Sequence, residues 1–307
     1  MKSRDEKILM WEAAALYYEK KYTQQQIAEL LDLSRQTVSK LLTDAVREHI
    51  VEIRIHDPRK SCLDLERLLC ERFGITSAVV CPVSSGRDTL RQEMTVKAAA
   101  EHLIPILKQG GQKIAVSWGR TINKTIKQLP SLQTTGNLVF PLFGATDVED
   151  PCFSSNEIAR DLADRLGAAV QYAWFPYLTE NEQDLNLFQN TGYYKKIKSL
   201  WAQIDIALVG IGNTDVVTMF SQIINRPLNA TNISGDIATH FFDKGGTIAE
   251  LYQNTLCASV QNIKNAKQTI GIACGSDKIQ ALVGALKTGL LDTLITDEYT
   301  ARQLLET

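Results

Sequence analysis

The sequence predicts an α/β protein in two parts: a small N-terminal helix-turn-helix unit, winged-helix-like in its trailing strand, and a large unit built on a mainly parallel sheet. Three observations carry this expectation. The chain has 307 residues, more than one typical domain holds and enough for a small and a large one. Residues 23–46 contain two short helical stretches joined by a tight polar turn. Beyond Gly74, strand-like and helix-like segments alternate, a pattern that builds a parallel sheet covered on both faces.

The elements follow in chain order. Ile8, Leu9, Ala13, Leu16 and Tyr17 recur at helical spacing and predict a helix over 5–22. Thr23 is a good N-cap for the next helix, and Gln26 stands at the capping-box position. Ile27, Leu30 and Leu31 give that helix an apolar face. Asp32-Leu33-Ser34 breaks the pattern, and Ser34 caps a third helix through Val38, Leu41, Leu42 and Val46. Residues 50–55 alternate like a strand. Asp57-Pro58 ends the first domain, expected at 1–57. The second, 58–307, opens with a linker helix over 58–74, apolar at Leu65, Leu68 and Leu69. Strands are expected at 78–81, 113–117, 138–143, 168–172, 204–211, 269–273 and 293–296. Helices are expected at 90–107, 121–129, 155–166, 192–201, 277–287 and 297–305.

Composition excludes several classes. Lys and Arg number 33 against 35 Asp and Glu, so there is no basic coat and nucleic-acid binding must come from a local surface. No run of about 18 apolar residues suggests a membrane span, and the charged, helical start does not read as a signal peptide. The six cysteines are scattered with no C-x-x-C pair. They fit incidental thiols in a reducing, cytoplasmic setting, with no disulfide framework. His49, His56, His102 and His240 have no metal spacing, and no metal or cofactor is expected.

Tyr22–Glu48 has what a helix-turn-helix requires. Ala28 is small where two helices cross, and Leu33 enters the core from the turn. The second helix opens with Arg35, Gln36, Thr37, Ser39 and Lys40. Such an end enters the major groove, where Arg suits guanine and Gln suits adenine. Arg35, Gln36 and Thr37 are the candidates for base contacts. Ser39 and Lys40 are assigned to the DNA backbone, and Thr23 and Gln24 complete the candidate surface. The plainer alternative is a three-helix bundle whose surface happens to carry these residues.

Three segments of the large unit carry chemistry. Ser117–Thr121 reads as a strand, a Gly turn and a helix start, where backbone N–H groups suit an anion; many such turns bind nothing. Asp236, after a Gly and among apolar residues, suits a carboxylate that grasps sugar hydroxyls, or it caps a following helix. Cys274–Lys278 is again strand, Gly turn and helix. Lys278 in a first turn opposes the helix dipole, which suits an anion-binding role; a solvated surface lysine is the alternative.

From about residue 8 to its end the chain resembles the SorC family of sugar-binding transcriptional regulators, which includes Bacillus-type deoxyribonucleoside regulators. The resemblance rests on LYYEKKYTQQQIAELLDLSRQTVSKLL, VSWGRTI, DIALVGIG, GDIATHFFD, ACGSDKIQALVGAL and LITDEYTARQLL, in that order. It implies a Rossmann-like effector domain similar to the sugar-phosphate isomerase and deaminase fold, a sugar or sugar-phosphate effector, operator DNA as partner, and homo-oligomers, commonly tetramers. By position it implies effector contacts at Gly119, Arg120 and Thr121, a hydroxyl-binding carboxylate at Asp236 and an anion-binding Lys278, with Gly275 and Ser276 in the same turn. Asn156 falls in a stretch that lines the pocket in relatives. In Pro141–Ala145 the chain departs: several relatives place Lys or Arg where Phe143 stands, and in one branch that lysine forms a Schiff base. Phe143 has no amine and excludes such an adduct. It is expected, with Gly144, to offer an apolar face to a sugar.

Two functions compete on these residues. One is a DNA-binding regulator of a carbohydrate-utilisation operon, controlled by a sugar, polyol or sugar phosphate. The other is a sugar-phosphate isomerase or deaminase with a DNA-binding appendage. Enzymatic turnover needs a tuned base and a partner. Asp236 could be the base, but no second acid/base group is evident, so the regulator reading leads.

Overall fold

The computed structural model describes residues 4–48, 50–51, 62–83, 87–146, 150, 152, 154–215, 232–251 and 253–307. Its contacts divide into two compact units, Met1–Asp57 and Pro58–Thr307.

Among its described residues the first unit packs three α-helices, α1 (Arg4–Ala14), α2 (Gln24–Leu30) and α3 (Arg35–Arg47). Its core takes Met10, Ala13 and Ala14 from α1, Ile27 and Ala28 from α2, and Val38, Leu42 and Ala45 from α3. Both expected caps form. Thr23 and Gln26 make a complete capping box, and the Ser34 hydroxyl accepts the Thr37 amide at 3.1 Å. Two expectations are corrected. The first helix is α-helical only to Ala14 and then widens into a single π-turn, Ala15–Glu19. Leu30, expected on the apolar face, is 59% exposed, because this short helix buries Ile27 and Ala28 instead. Ile50 and Val51 pack on the core. Most of the strand expected over 50–55 lies outside the described residues.

The second unit holds α4 (Leu63–Phe73), β1 (Ser77–Cys81), α5 (Asp88–Leu107), β2 (Lys113–Val116), α6 (Arg120–Gln128), β3 (Leu138–Pro141), α7 (Ser155–Leu166) and β4 (Ala169–Val170). Then come α8 (Glu182–Asn190), α9 (Gly192–Trp201), β5 (Ile206–Gly212), β6 (Gly235–Ile237), β7 (His240–Phe242) and β8 (Ile248–Ala249). The last elements are α10 (Val260–Lys264), β9 (Gln268–Ile272), α11 (Ile279–Lys287), β10 (Thr293–Asp297) and α12 (Glu298–Glu306). Among the described residues seven strands run parallel in the order β1-β10-β9-β5-β2-β3-β4. Their central members, such as Ile206–Val209 and Thr293–Asp297, are buried throughout, as expected for strands covered on both faces. Helices α5, α6 and α7 pack side by side, and α4 and α11 flank α12. The helix expected as a linker is part of the domain: Leu65 and Leu69 join its core, Glu66 accepts the Val80 amide at 2.8 Å, and Arg72 donates to the Leu305 carbonyl at 2.6 Å.

The expected strands and helices all recur here with small shifts at their ends. An antiparallel extension, β6-β7-β8, grows from β5 and was not expected. Its strands are two or three residues long, too short for alternation to show. The short helices α8 and α10 were likewise unexpected.

Candidate functional sites: a recognition helix and a cavity at the carboxyl rim

In the first unit, α3 buries Val38 and leaves Arg35, Gln36, Thr37, Ser39 and Lys40 exposed on its other faces. Its first turn carries no acidic residue. Two of the expected contacts also have structural tasks: the Thr37 hydroxyl lies 2.8 Å from that of Ser34, and the Thr23 hydroxyl donates to Gln26 at 3.1 Å. Gln24 opens α2 half-buried.

In the second unit, a cavity of about 440 Å³ opens at the carboxyl ends of β2 and β5, the rim where ligands of open α/β sheets bind. Its floor is Ser117-Trp118-Gly119 after β2 and Gly210-Ile211-Gly212 in β5. Ser117 ties these together: its hydroxyl accepts the Gly210 amide at 3.0 Å. Arg120 and Thr121 enter from the start of α6. Gly119, at φ 123° and ψ 151°, occupies a region essentially reserved for glycine. Gly275 repeats that conformation before the second turn, at φ 118° and ψ 149°.

Asp236 comes from the unexpected hairpin. Gly235 lets β6 approach β5, since a Cβ there would stand 2.3 Å from the Gly212 carbonyl oxygen. The hairpin turn uses Ala238 at φ 48° and Thr239 at φ 71°. Both are left-handed, as such a two-residue turn demands, at a cost of about 1–2 kcal/mol for each non-glycine residue. This backbone aims the Thr239 amide at Asp236 Oδ2, 3.1 Å away. The helix-capping alternative for Asp236 is therefore corrected: the residue sits in a strand. Its carboxyl is buried, and that desolvation pushes its pKa up to about 6, against the opposing pull of the Thr239 amide and the Lys278 charge. Lys278 donates to the Ile211 carbonyl at 2.7 Å. Burial pulls its pKa below the ordinary lysine value, while Asp236 and Asp277 oppose that shift. Asn213 completes the rim by donating to Asp277 at 3.0 Å.

The structure thus brings Gly119, Arg120, Thr121, Asp236 and Lys278 to one cavity. It does not bring the other five candidates to the lining. Phe143 is fully buried, edge-on to Trp118 at 4.9 Å and to Tyr177 at 6.0 Å. It supports the Trp118 wall and offers no face to a ligand. Gly144 lies where a Cβ would meet the Pro176 carbonyl oxygen at 2.4 Å. Asn156 clamps Ala173, accepting its amide at 2.9 Å and donating to its carbonyl at 3.1 Å. The Gly275 amide donates to Thr300 at 3.1 Å, and the Ser276 hydroxyl donates to Asp88 at 2.8 Å. Sequence reasoning missed Gln92, Trp118, Asn213, Asp215, Ala238 and Asp277 in the lining. Trp118 and Asp277 stood inside quoted motifs and were legible there; Gln92 and Asp215 carried no signal.

A cleft of about 480 Å³ at the amino ends of the strands has no comparable chemistry. There Asp205 is committed to the Lys113 amide and the Lys267 ammonium, and Asp292 accepts the Thr269 amide. Among the described residues, no group of His, Cys, Asp or Glu could hold a metal ion, and no helix is long and apolar enough to cross a membrane.

Comparison with known proteins agrees with this division. The family described as "Putative sugar-binding domain" matches residues 57–306, and sigma-70 region 4, a helix-turn-helix module, matches residues 11–48. The sorbitol operon regulator of Klebsiella pneumoniae is 31% identical over 319 residues, covering all of both chains. The deoxyribonucleoside regulator of Bacillus subtilis is 28% identical, covering 98% of each. The crystal structure of the full-length Klebsiella regulator superposes with a TM-score of 0.73 at 30% identity, over 98% of this chain and 99% of that one. A helix-turn-helix followed by a sugar-binding domain along the whole length places this chain in the SorC family of transcriptional regulators, whose named members are regulators and not enzymes.

Proposed function

We propose that this regulator controls a carbohydrate-utilisation operon from the cytoplasm, as a homo-oligomer, commonly a tetramer in this family, whose effector is a sugar, polyol or sugar phosphate. The cavity is the effector site. One observation carries the reading: three turns far apart in sequence, Gly119–Thr121, Asp236–Ala238 and Asp277-Lys278, line a single concavity on the carboxyl rim. In this reading the domain is a Rossmann-like relative of sugar-phosphate isomerases and deaminases, supported by its parallel sheet.

The chemistry of the lining suits a polyhydroxylated ligand. Asp236 accepts hydrogen bonds from two neighbouring hydroxyls or orients one, and the Trp118 indole supplies an apolar wall. Lys278 donates to ring or chain oxygens, and the start of α6 with Arg120 takes a phosphate where the ligand has one. Arg35, Gln36 and Thr37 read bases, while Ser39, Lys40, Thr23 and Gln24 meet the DNA backbone. Control requires the effector to bind two arrangements of the protein with different affinity, since equal affinity shifts nothing. Calorimetric titration with a panel of sugars, polyols and their phosphates tests the reading. One or more should bind wild type and fail to bind Asp236→Asn. A ligand that binds both proteins equally would move the effector site elsewhere.

A further inference from the structure

Beside the recognition helix the first unit carries a second concavity, of about 630 Å³. We infer that it seats a DNA phosphodiester backbone, with Lys21 and Tyr22 as contacts outside the recognition helix. Among the described residues its charged lining is Lys21 and Arg35, with no carboxylate. Neither cation has an acidic partner among the described residues, whereas Lys7 pairs with Glu48 and Arg47 with Asp44. Three tyrosines, Tyr17, Tyr18 and Tyr22, share the wall with Thr23, Gln24 and Gln25, so the concavity adjoins the positions already assigned to the DNA backbone. The surface is thus cationic, rich in donors and continuous through Arg35 with the face that reads DNA.

The backbone that builds it is unusual. The π-turn Ala15–Glu19 sets Tyr17 and Tyr18 edge to face at 5.0 Å. The chain then reverses: the Lys20 amide returns to the Ala15 carbonyl at 3.1 Å and the Tyr22 amide to the Leu16 carbonyl at 3.0 Å. Closing this cap requires φ 60° at Lys21, a position that glycine fills without strain. A lysine held there in the left-handed region is explained when its side chain has work at the mouth of the concavity. A phosphate is the partner whose charge and acceptor geometry match an ammonium and a phenol hydroxyl, beside an Arg35 that reaches the bases.

The proposal rests on α3 being the DNA-reading helix, and the test separates the two. The full chain is titrated by fluorescence anisotropy against a labelled mixed-sequence duplex over a range of salt. Wild type, Lys21→Gly, Lys21→Arg, Tyr22→Phe and Arg35→Ala are compared. Losing one phosphate contact lowers the slope of log K against log salt by about 0.9, which is about eightfold in affinity at 0.1 M salt. Lys21→Gly should show both effects while its melting temperature stays level or rises, because the strained lysine is gone. Lys21→Arg should retain the slope, and Tyr22→Phe should weaken binding without changing it. A Lys21→Gly slope equal to wild type, with Arg35→Ala still impaired, overturns the proposal alone. A wild type that binds no duplex overturns the DNA reading and the proposal with it.

Discussion

Replacing Asp236 with Asn should make the protein more stable and less able to bind its effector. Asp236 is 3% exposed, and burial raises its pKa from 3.8 to about 6. The folded protein therefore holds this proton more tightly than the unfolded chain does. Below pH 4 both states are protonated and the group has no effect on stability. Between about pH 4 and 6 the folded state binds the extra proton, so this group's contribution falls as pH rises; above 6 the full penalty is present. At about 1.4 kcal/mol per pKa unit, that penalty is about 3 kcal/mol. Asparagine keeps an oxygen for the Thr239 amide and removes the charge. The urea midpoint of Asp236→Asn should thus match wild type near pH 4 and exceed it near pH 7 with the same m-value. Tryptophan emission follows the transition, since Trp118, Trp174 and Trp201 lie in the large unit. Asp205 and Asp243 have lowered pKa values and impose the opposite slope, but they are shared by both proteins and cancel in the difference. A wild-type-to-variant difference that is constant from pH 4 to 7 would refute the reasoning.

Three further outcomes are expected. Lys278→Ala should weaken a phosphorylated effector more than its unphosphorylated parent, and calorimetry with the pair would contradict this if both lose equally. Gly119→Ala should cost about 1–3 kcal/mol in thermal unfolding through backbone strain, because φ is 123° while a Cβ there meets nothing within 4 Å; an unchanged melting temperature would exclude it. Arg35→Ala and Gln36→Ala should each cost about 1–3 kcal/mol of operator binding and relax base preference locally, whereas Lys40→Ala should weaken all sequences alike, as competition titrations with altered operators would show.

The parts of this fold that the sequence made legible are those in which local chemistry and tertiary structure agree. Thr23 with Gln26, and Ser34 before Arg35, cap helices because their side chains reach amides three residues on, a relation confined to one turn of chain. The strands of the parallel sheet are apolar runs separated by helices, so burial on both faces is written into their composition. Phe143 failed for the opposite reason. Its position in the family resemblance suggested a ligand face, but whether an aromatic ring meets a sugar or a second ring depends on Trp118 and Tyr177, which are 25 and 34 residues away. Asn156, named because its stretch lines the pocket in relatives, is held by Ala173, 17 residues on.

The Asp236 hairpin shows how a residue singled out in the sequence can sit in an element that the sequence does not announce. A two-residue turn with both φ values positive is ordinarily announced by Asn-Gly or Asp-Gly. Here the turn is Ala238-Thr239, residues that disfavour it, so nothing local signals a hairpin and a helix cap was the natural alternative. The surrounding structure overrides that preference. Gly235 admits β6 against β5, β7 pairs back on β6 in register, and His240 Nε2 lies 2.8 Å from the Ala258 carbonyl oxygen. With these contacts made, both turn residues take positive φ values. The strained backbone then directs the Thr239 amide onto one carboxylate oxygen, and Asp236 still lines the cavity. Burial and a raised pKa at Asp236 and backbone strain at Ala238 and Thr239 all act against stability in this one hairpin. Their coincidence at the meeting point of three turns supports the assignment of Asp236 to the effector site more strongly than the sequence motif does, because fold stability alone would favour an uncharged side chain and a glycine-containing turn there.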